Sequence, residues 1–370
     1  MNQHAFNVQS MNIMKTRSSN RTKTVDTDKQ SAYDQPTSSD PKNRPADLQK
    51  KPPKMGDEEI SKAVGLYCIG DLPFLLFYNC KDKRWIKQEF SEESKYKGGL
   101  KYPSVVCFNH NFSIIVTGGC DNYTGEASES VFKAHVNEAD TFTKISSMKN
   151  KRYGHCSVVV KNFLYVIGGF DHQDTETTVP STLVSWEKFD SKIEKWANVA
   201  NLIHPVAFAA ICSVKDKYIY IFGGFEDYST VDVVQQYNII ENQWDLLNIK
   251  LPVRLAKMGA ANVEDQEILI VGGIYEDMNN DTPLSLIDYW YKLNVQSMKW
   301  TRGAKMKNKR TLNSSLYSYD NQIYVVGSSN DGACEKYDPE VNRWINIPSY
   351  DEILPQNDLQ SFSVCMFQSA

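Results

Sequence analysis

Short apolar runs recur along the chain from about Ile60 onward, and four of these runs end in a pair of glycines. The four runs are residues 114–119, 164–169, 219–224 and 268–273, and a degraded copy at residues 323–328 has Ser328 in place of the second glycine. Each run is too short for a helix and is rich in β-branched and aromatic residues, which predicts a strand buried on both faces. The spacing stays near 50 residues, which indicates a repeat architecture.

A second periodic feature follows each glycine pair: a large residue, usually aromatic, with a tryptophan about seven positions later. The pairs are Phe189 and Trp196, Tyr237 and Trp244, Leu293 and Trp300, and Tyr337 and Trp344, with Tyr78 and Trp85 ahead of the first glycine pair. His135 and Phe142 form a weaker copy. A large aromatic residue on an outer strand supplies the area that packs one small sheet onto the next. The pattern therefore predicts a ring of four-stranded sheets.

The number of repeats determines how the ring closes. Five full repeats end near Phe142, Trp196, Trp244, Trp300 and Trp344, and the segment from Gly65 to Ile86 supplies three further strands that lack a first one. We expect the missing strand near residues 361–367, so that the first blade joins strands from both parts of the chain. Such a ring has six blades and protects its sheet edges.

These repeats resemble Kelch repeats, and residues 160–171 and 333–344 resemble the consensus of Kelch-like propellers. The resemblance covers about 310 residues. It implies an all-β fold, a six-bladed Kelch β-propeller over residues 59–370. The second blade, where Phe142 replaces tryptophan, and the last blade, with Ser328, are expected to be looser.

Residues 1–58 differ in kind from the repeats. They are rich in small polar residues, and the stretch up to Gly56 holds about ten Lys and Arg against about five acidic residues. Such a segment buries too little apolar surface to offset the entropy of ordering it. We therefore predict a disordered N-terminal tail that is basic and polar. Its favoured role is a solvated tether, and docking a partner is the alternative.

The remaining composition excludes several classes of partner. The formal net charge is −4, and no long uncharged apolar run or signal-peptide pattern is present, so we expect a cytoplasmic protein that binds neither nucleic acid nor a membrane. The eight cysteines are scattered singly with no C-x-x-C pair, which predicts reduced core thiols. We expect no metal and no cofactor.

Enzymatic chemistry finds little support. The six histidines are isolated, and His155 lies where a Kelch repeat often has a structural histidine. No G-x-S-x-G or phosphate-binding loop is present, and the acidic loop residues lack the spacing of a calcium-binding loop. Some relatives of the fold are enzymes that use the central channel, but we predict that this protein is not an enzyme.

The segments that lead from one blade into the next are basic. By resemblance to Kelch substrate adaptors, whose arginines grip acidic peptides near the channel mouth, we predict a partner-binding set of five residues. The set is Lys101, Arg152, His204, Arg254 and Arg310. Arginine suits this task because its planar fork binds carboxylates bidentately. The alternative is that these residues only keep the loops soluble, with acidic loops neutralising the rim.

The favoured function is a protein-interaction module that binds a partner, specifically an acidic peptide segment, on the loop face at the channel mouth. Two alternatives stay open: a substrate receptor of a ubiquitin ligase that lacks its own BTB region, and a cytoskeletal or ciliary scaffold. An enzyme acting in the channel is the least favoured hypothesis, because fold alone does not fix function and the chemistry for a site is missing.

Overall fold

The structure is a computed structural model, and it describes residues 64–70, 72–121, 123–172, 180–276, 284–312, 314–320, 322–326, 333–350 and 362–368. These residues form a six-bladed β-propeller, which confirms the predicted fold class. The helices within these ranges are two single 3-10 turns, Asn109–Asn111 and Val136–Glu138. The predicted tail over residues 1–58 lies outside the described residues.

Each blade is an antiparallel sheet of four strands. From the channel outward, blade 1 contains β31 (Phe362–Gln368), β1 (Val64–Gly70), β2 (Phe74–Asn79) and β3 (Arg84–Glu89). Blade 2 contains β5 (Ser104–Phe108), β6 (Ser113–Thr117), β8 (Val131–His135) and β9 (Thr143–Lys144). Blade 3 contains β10 (Cys156–Val160), β11 (Phe163–Ile167), β12 (Trp186–Asp190) and β13 (Lys195–Asn198).

The remaining three blades have the same arrangement. Blade 4 contains β14 (Ala210–Val214), β15 (Tyr218–Phe222), β18 (Val234–Asn238) and β19 (Gln243–Leu246). Blade 5 contains β20 (Gly259–Val263), β21 (Glu267–Val271), β24 (Trp290–Asn294) and β25 (Lys299–Arg302). Blade 6 contains β27 (Tyr317–Tyr319), β28 (Gln322–Val325), β29 (Cys334–Asp338) and β30 (Arg343–Ile347).

Shorter strands form in the loops between these sheets. They are β4 (Leu100–Lys101) paired with β7 (Cys120–Asp121), β16 (Phe225–Glu226) with β17 (Ser229–Thr230), and β22 (Ile274–Glu276) with β23 (Leu284–Leu286). A further strand, β26 (Ser314–Ser315), runs parallel to β20.

Blade 1 joins strands from distant parts of the chain. β31 runs antiparallel to β1 in an unbroken register from Val64 opposite Gln368 to Gly70 opposite Phe362. On its other side, β31 meets blade 6, where the Tyr317 hydroxyl donates to the Val364 carbonyl oxygen over 2.8 Å. The pairing covers the edge of β1 that would otherwise expose unpaired backbone groups.

In four of the six blades, a tryptophan on the outer strand fastens the blade to the one before it. The indole N–H of Trp85 donates to the carbonyl oxygen of Pro348 over 2.7 Å, and the indole N–H of Trp344 donates to the carbonyl oxygen of Ala304 over 3.2 Å. Both acceptors lie in the segment through which the chain leaves the preceding blade. The same bond joins Trp196 to Ser146 (2.8 Å) and Trp244 to Ala200 (2.9 Å). In these four blades the tryptophan is therefore both a packing group and a specific hydrogen-bond tie to the preceding blade.

Phe142, in the weaker copy of this pattern, is fully buried although it has no N–H to donate. Its ring packs edge-on against Phe90 and against Tyr96, with centroid distances of 5.8 Å to each. Aromatic packing thus takes the place of the missing hydrogen bond. The expectation that the second blade is looser than its neighbours stays a prediction. Ser328 in the last blade lies outside the described residues.

The glycine pairs lie where neighbouring blades come closest. Gly168 has a φ of +63°, and a Cβ atom there would lie 2.2 Å from the Val206 carbonyl oxygen. The adjacent Gly169 donates its N–H to that same oxygen over 2.8 Å. A side chain at the first position would break this contact between blades, which explains why the apolar runs end in glycine.

Candidate functional site

The segments that join one blade to the next share an edge with the loops that follow the glycine pairs. Neighbouring strands are antiparallel, so the start of each inner strand lies beside the end of the second strand. We call this side of the ring the junction face, after the blade-to-blade segments 90–103, 145–155, 199–209, 247–258 and 303–316. All five residues predicted to bind a partner lie in these segments.

Arg152 does not reach the surface of this face. Its side chain is fully buried, and its Nη1 atom donates to the carbonyl oxygens of Gly168 (2.7 Å) and Ser185 (3.0 Å). Its Nη2 atom forms an ion pair with the buried carboxylate of Glu187 at 3.0 Å. Burial lowers the pKa of Arg152, and the charge of Glu187 opposes that effect. A partner cannot reach this guanidinium.

Arg310 repeats the arrangement in blade 6. It is fully buried, and it donates to the carbonyl oxygen of Ala333 (2.6 Å) and to the buried carboxylate of Glu335 (2.7 Å). The prediction that Arg152 and Arg310 grip a partner's carboxylates is therefore corrected, because each arginine already holds a carboxylate of its own chain inside the protein.

The two buried carboxylates also fix the backbone of the junction segments. Glu187 accepts from the N–H groups of Lys149 (2.7 Å) and Asn150 (3.0 Å). Glu335 accepts in the same way from Lys307 (2.9 Å) and Asn308 (3.0 Å). In blade 4 the neutral Gln235 takes this position and accepts from His204 over 2.9 Å. These third-strand side chains shape the junction face without forming its surface.

Five residues converge on the channel, and two of them, Gly154 and Leu312, lie two positions after the buried arginines Arg152 and Arg310. Backbone hydrogen bonds link them from blade to blade, each from an N–H group to the carbonyl oxygen of the preceding member. The N–H of Gly154 donates to Tyr102 (3.2 Å), that of Phe208 to Gly154 (2.6 Å), that of Lys257 to Phe208 (2.8 Å) and that of Leu312 to Lys257 (2.6 Å). We call these five residues the central ring.

Tyr102, Phe208 and Lys257 of the central ring have φ values of 52°, 51° and 55°, a left-handed conformation that is uncommon for residues other than glycine. Such outliers cluster at ligand sites.

Lys257 is the one cation of the central ring. Its ammonium lies 4.8 Å from the centroid of the Phe208 ring and 5.1 Å from that of Tyr102. Desolvation lowers the pKa of Lys257 from 10.5 to about 8. Desolvation is the sole cause of this shift, so no carboxylate among the described residues offsets the buried charge. Two aromatic faces hold the ammonium instead.

An apolar floor supports the central ring. Tyr153, Phe170 and Phe225 are buried there, and the ring of Phe208 lies 6.2 Å from that of Phe170 and 6.3 Å from that of Phe225. Aromatic contacts of this kind hold the Phe208 side chain in place. The central ring therefore combines an apolar base with one ammonium, that of Lys257.

The other three predicted residues occupy the outer part of the junction face. Lys101 is half-buried in β4, where it pairs with Cys120 of β7, and Arg254 is exposed. His204 is half-buried, with its Nδ1 atom 3.6 Å from the Glu226 carboxylate. Their roles in binding a partner stay predictions.

The comparisons with known proteins agree with this architecture. The family model described as the KLHDC2/KLHL20/DRC7 Kelch-repeats domain matches residues 71–273, which is more than half of the chain. The chain belongs to the Kelch-repeat family. Human Kelch-like protein 23 is 29% identical over 259 residues, covering 66% of this chain and 41% of the relative. Kelch-like protein 25 of Xenopus tropicalis is 31% identical over 246 residues, covering 64% and 39%.

A solved structure titled "Structure of YjhT" shares the fold of this Kelch propeller. It has a TM-score of 0.60 at 15% identity and covers 76% of this chain and 96% of its own. The present chain spans about two-fifths of the length of the curated Kelch-like relatives. Within the ranges that the structure describes, no helix is long and apolar enough to cross a membrane.

His155 of this Kelch propeller has a structural role. His155 is buried with its Nε2 atom 2.9 Å from the Thr117 hydroxyl, and burial, helped by the charge of Arg152, lowers its pKa far below the usual value. His155 is therefore neutral and structural, as expected from the sequence. In the part of the chain that the structure covers, no three His, Cys, Asp or Glu side chains are grouped to hold a metal ion.

Proposed function

We propose that this Kelch propeller is a protein-interaction module that binds an acidic segment of a partner at the junction face. Propellers of this family are generally interaction modules. The observation that carries the proposal is the Lys257 ammonium, which lies over Tyr102 and Phe208 with no carboxylate of the described chain beside it. This charge is already desolvated, and an incoming carboxylate would compensate it.

The chemistry of the central ring favours a peptide over a bare anion. A carboxylate near Lys257 would gain a charge-assisted hydrogen bond, which is stronger than a neutral one. The half-buried ring of Tyr102, packed edge-on against the buried Phe208, offers apolar area to the neighbouring side chains of a peptide. Arg254 and Lys101 supply further cations on the same face. The ligase-receptor and cytoskeletal hypotheses concern which partner carries the acidic segment, and identifying that partner distinguishes them.

The proposal is tested with the full chain and a panel of fluorescein-labelled peptides in matched pairs, one rich in Glu and Asp and the other with Gln and Asn in their place. We expect fluorescence anisotropy to show binding of acidic members only, and Lys257→Met to weaken that binding about 10- to 100-fold. Lys217→Met is the matched control, because Lys217 also lies over an aromatic ring, Tyr218, but follows the turn after β14 on the opposite side of the blade. Equal binding of acidic and amide peptides would contradict the proposal.

A further inference from the structure

The inner strands of blades 1 and 2 run side by side where the ring closes. The N–H of Val105 in β5 donates to the Ser363 hydroxyl of β31 over 3.2 Å. Two residues further along each strand, the Sγ atoms of Cys107 and Cys365 lie 2.8 Å apart. These matched steps show that the two strands keep a common register, so the thiols face one another as a consequence of the fold.

The separation of these two sulfur atoms is shorter than an ordinary contact between non-bonded sulfurs. It is longer than a disulfide bond, whose length is about 2.05 Å. Both cysteines are free thiols in the structure. A small approach of the two strands would therefore bring them to bonding distance.

We propose that Cys107 and Cys365 form a redox modification site, which a peroxide converts into a disulfide that closes the propeller ring covalently. Cys107 is half-buried, whereas Cys365 is fully buried, so the oxidant reaches Cys107 first. Burial also raises the pKa of the Cys365 thiol, so this sulfur ionises less readily than an exposed thiol and is not the first to meet the oxidant. The pair thus has a reactive and a resolving member.

The reaction balances with hydrogen peroxide as the only oxidant. The Cys107 sulfur attacks one peroxide oxygen, the O–O bond breaks, and the products are a sulfenic acid on Cys107 and one water. The Cys365 sulfur then attacks the Cys107 sulfur and expels the hydroxyl group, which leaves as a second water with the Cys365 proton. Two thiols are oxidised to one disulfide as the peroxide is reduced to two waters.

This bond would reinforce the closure between β31 and blade 2. The two cysteines are 258 positions apart in the chain, so a cross-link between them removes much freedom from the unfolded state. The site lies on the inner strands and uses no residue of the junction face. Its test is therefore independent of the test of the proposed function.

The experiment oxidises the reduced, folded full chain with hydrogen peroxide, alkylates the remaining thiols and maps the peptides by mass spectrometry without reduction. We expect one linked pair, Cys107 to Cys365, and a melting temperature about 5 °C higher than that of the reduced protein. Cys107→Ala and Cys365→Ala should each abolish the link and the shift. Cys212→Ala, at another buried cysteine, should keep both.

Recovery of both Cys107 and Cys365 as alkylated thiols after oxidation of the folded wild-type chain would overturn the proposal. A linked pair that forms only in urea would overturn it too, because that link would not depend on the fold. If an alanine variant fails to fold, the peptide map of the wild-type chain alone decides the question.

Discussion

The Nη2 atom of Arg152 lies 3.0 Å from the Oε1 atom of Glu187, and neither side chain is exposed to solvent. Removing one partner would leave the other charge buried without compensation. We expect Glu187→Ala to lower the free energy of unfolding by about 3–5 kcal/mol. Urea melts of the full chain measure this loss.

The exposed pair of Lys133 and Glu194, at 2.9 Å, is the matched control. Glu194→Ala should cost about 0–1 kcal/mol, because water screens a surface ion pair. Equal losses for Glu187→Ala and Glu194→Ala would show that the buried pair does not support the junction segments as described.

The glycine pairs give a second test of the packing between blades. An alanine Cβ at Gly168 would lie 2.2 Å from the Val206 carbonyl oxygen, whereas at Gly99, with a similar φ of +82°, it would meet nothing within 4 Å. Gly99→Ala should cost only the backbone strain, about 1–2 kcal/mol. Gly168→Ala should cost clearly more in the same urea melts. Equal costs would mean that the contact between blades relaxes freely.

The repeat pattern was sufficient to predict the fold but not the channel-facing residues. Apolar runs, glycine pairs and tryptophans recur with one period because every blade needs them. Arg152 and Arg310 stood out as charges in the right segments, yet the members of the central ring in these segments, Gly154 and Leu312, lie two residues later. Whether a side chain in a loop points inward depends on φ and ψ, and the left-handed conformation of Tyr102, Phe208 and Lys257 is not readable from residue type.

One feature of the sequence could have revealed the structural role of the arginines. Glu187 and Glu335 occupy the same position at the start of the third strand in their blades, and Gln235 takes that position in blade 4. A carboxylate that is buried in a strand needs a buried cation. Pairing Glu187 with Arg152 and Glu335 with Arg310 would have explained both buried charges of each pair.

The closing strand can be tested by truncation. Ending the chain after Pro348 keeps the acceptor of the Trp85 indole but removes β31, which exposes the edge of β1 and uncovers Leu66 and Cys68. We expect aggregation in place of a monomer by size-exclusion chromatography with light scattering. A monomer of unchanged stability would show that β31 is dispensable for closure.

Burial of the Lys257 ammonium should make the protein less stable near neutral pH. The pKa of Lys257 is about 8 in the folded protein and near its ordinary value of 10.5 in the unfolded chain. At pH 7 both states carry the proton and the desolvation cost is present in full, whereas above pH 8 the folded state loses the proton and the cost falls progressively until about pH 10.5. Lys257→Met should therefore raise stability by about 1–2 kcal/mol at pH 7, with the gain shrinking towards pH 10.

The comparison of wild type with Lys257→Met at each pH isolates this effect. Burial also raises the pKa of several tyrosines, including Tyr165 and Tyr237, to about 12, so both proteins should lose stability together above pH 10. A stability difference that stays constant between pH 7 and 10 would contradict the buried ammonium.

The central claim is that the protonated Lys257 ammonium receives a partner's carboxylate at the central ring. The most direct measurement is the affinity of the full chain for an acidic, N-acetylated peptide without His, Cys, Tyr or Lys, followed by anisotropy from pH 7 to pH 9. Since the pKa of Lys257 is about 8, the wild-type affinity should fall about tenfold over this range, whereas Lys257→Arg should bind with little change. A wild-type affinity that stays flat across this range, or the same fall in both proteins, would contradict the account.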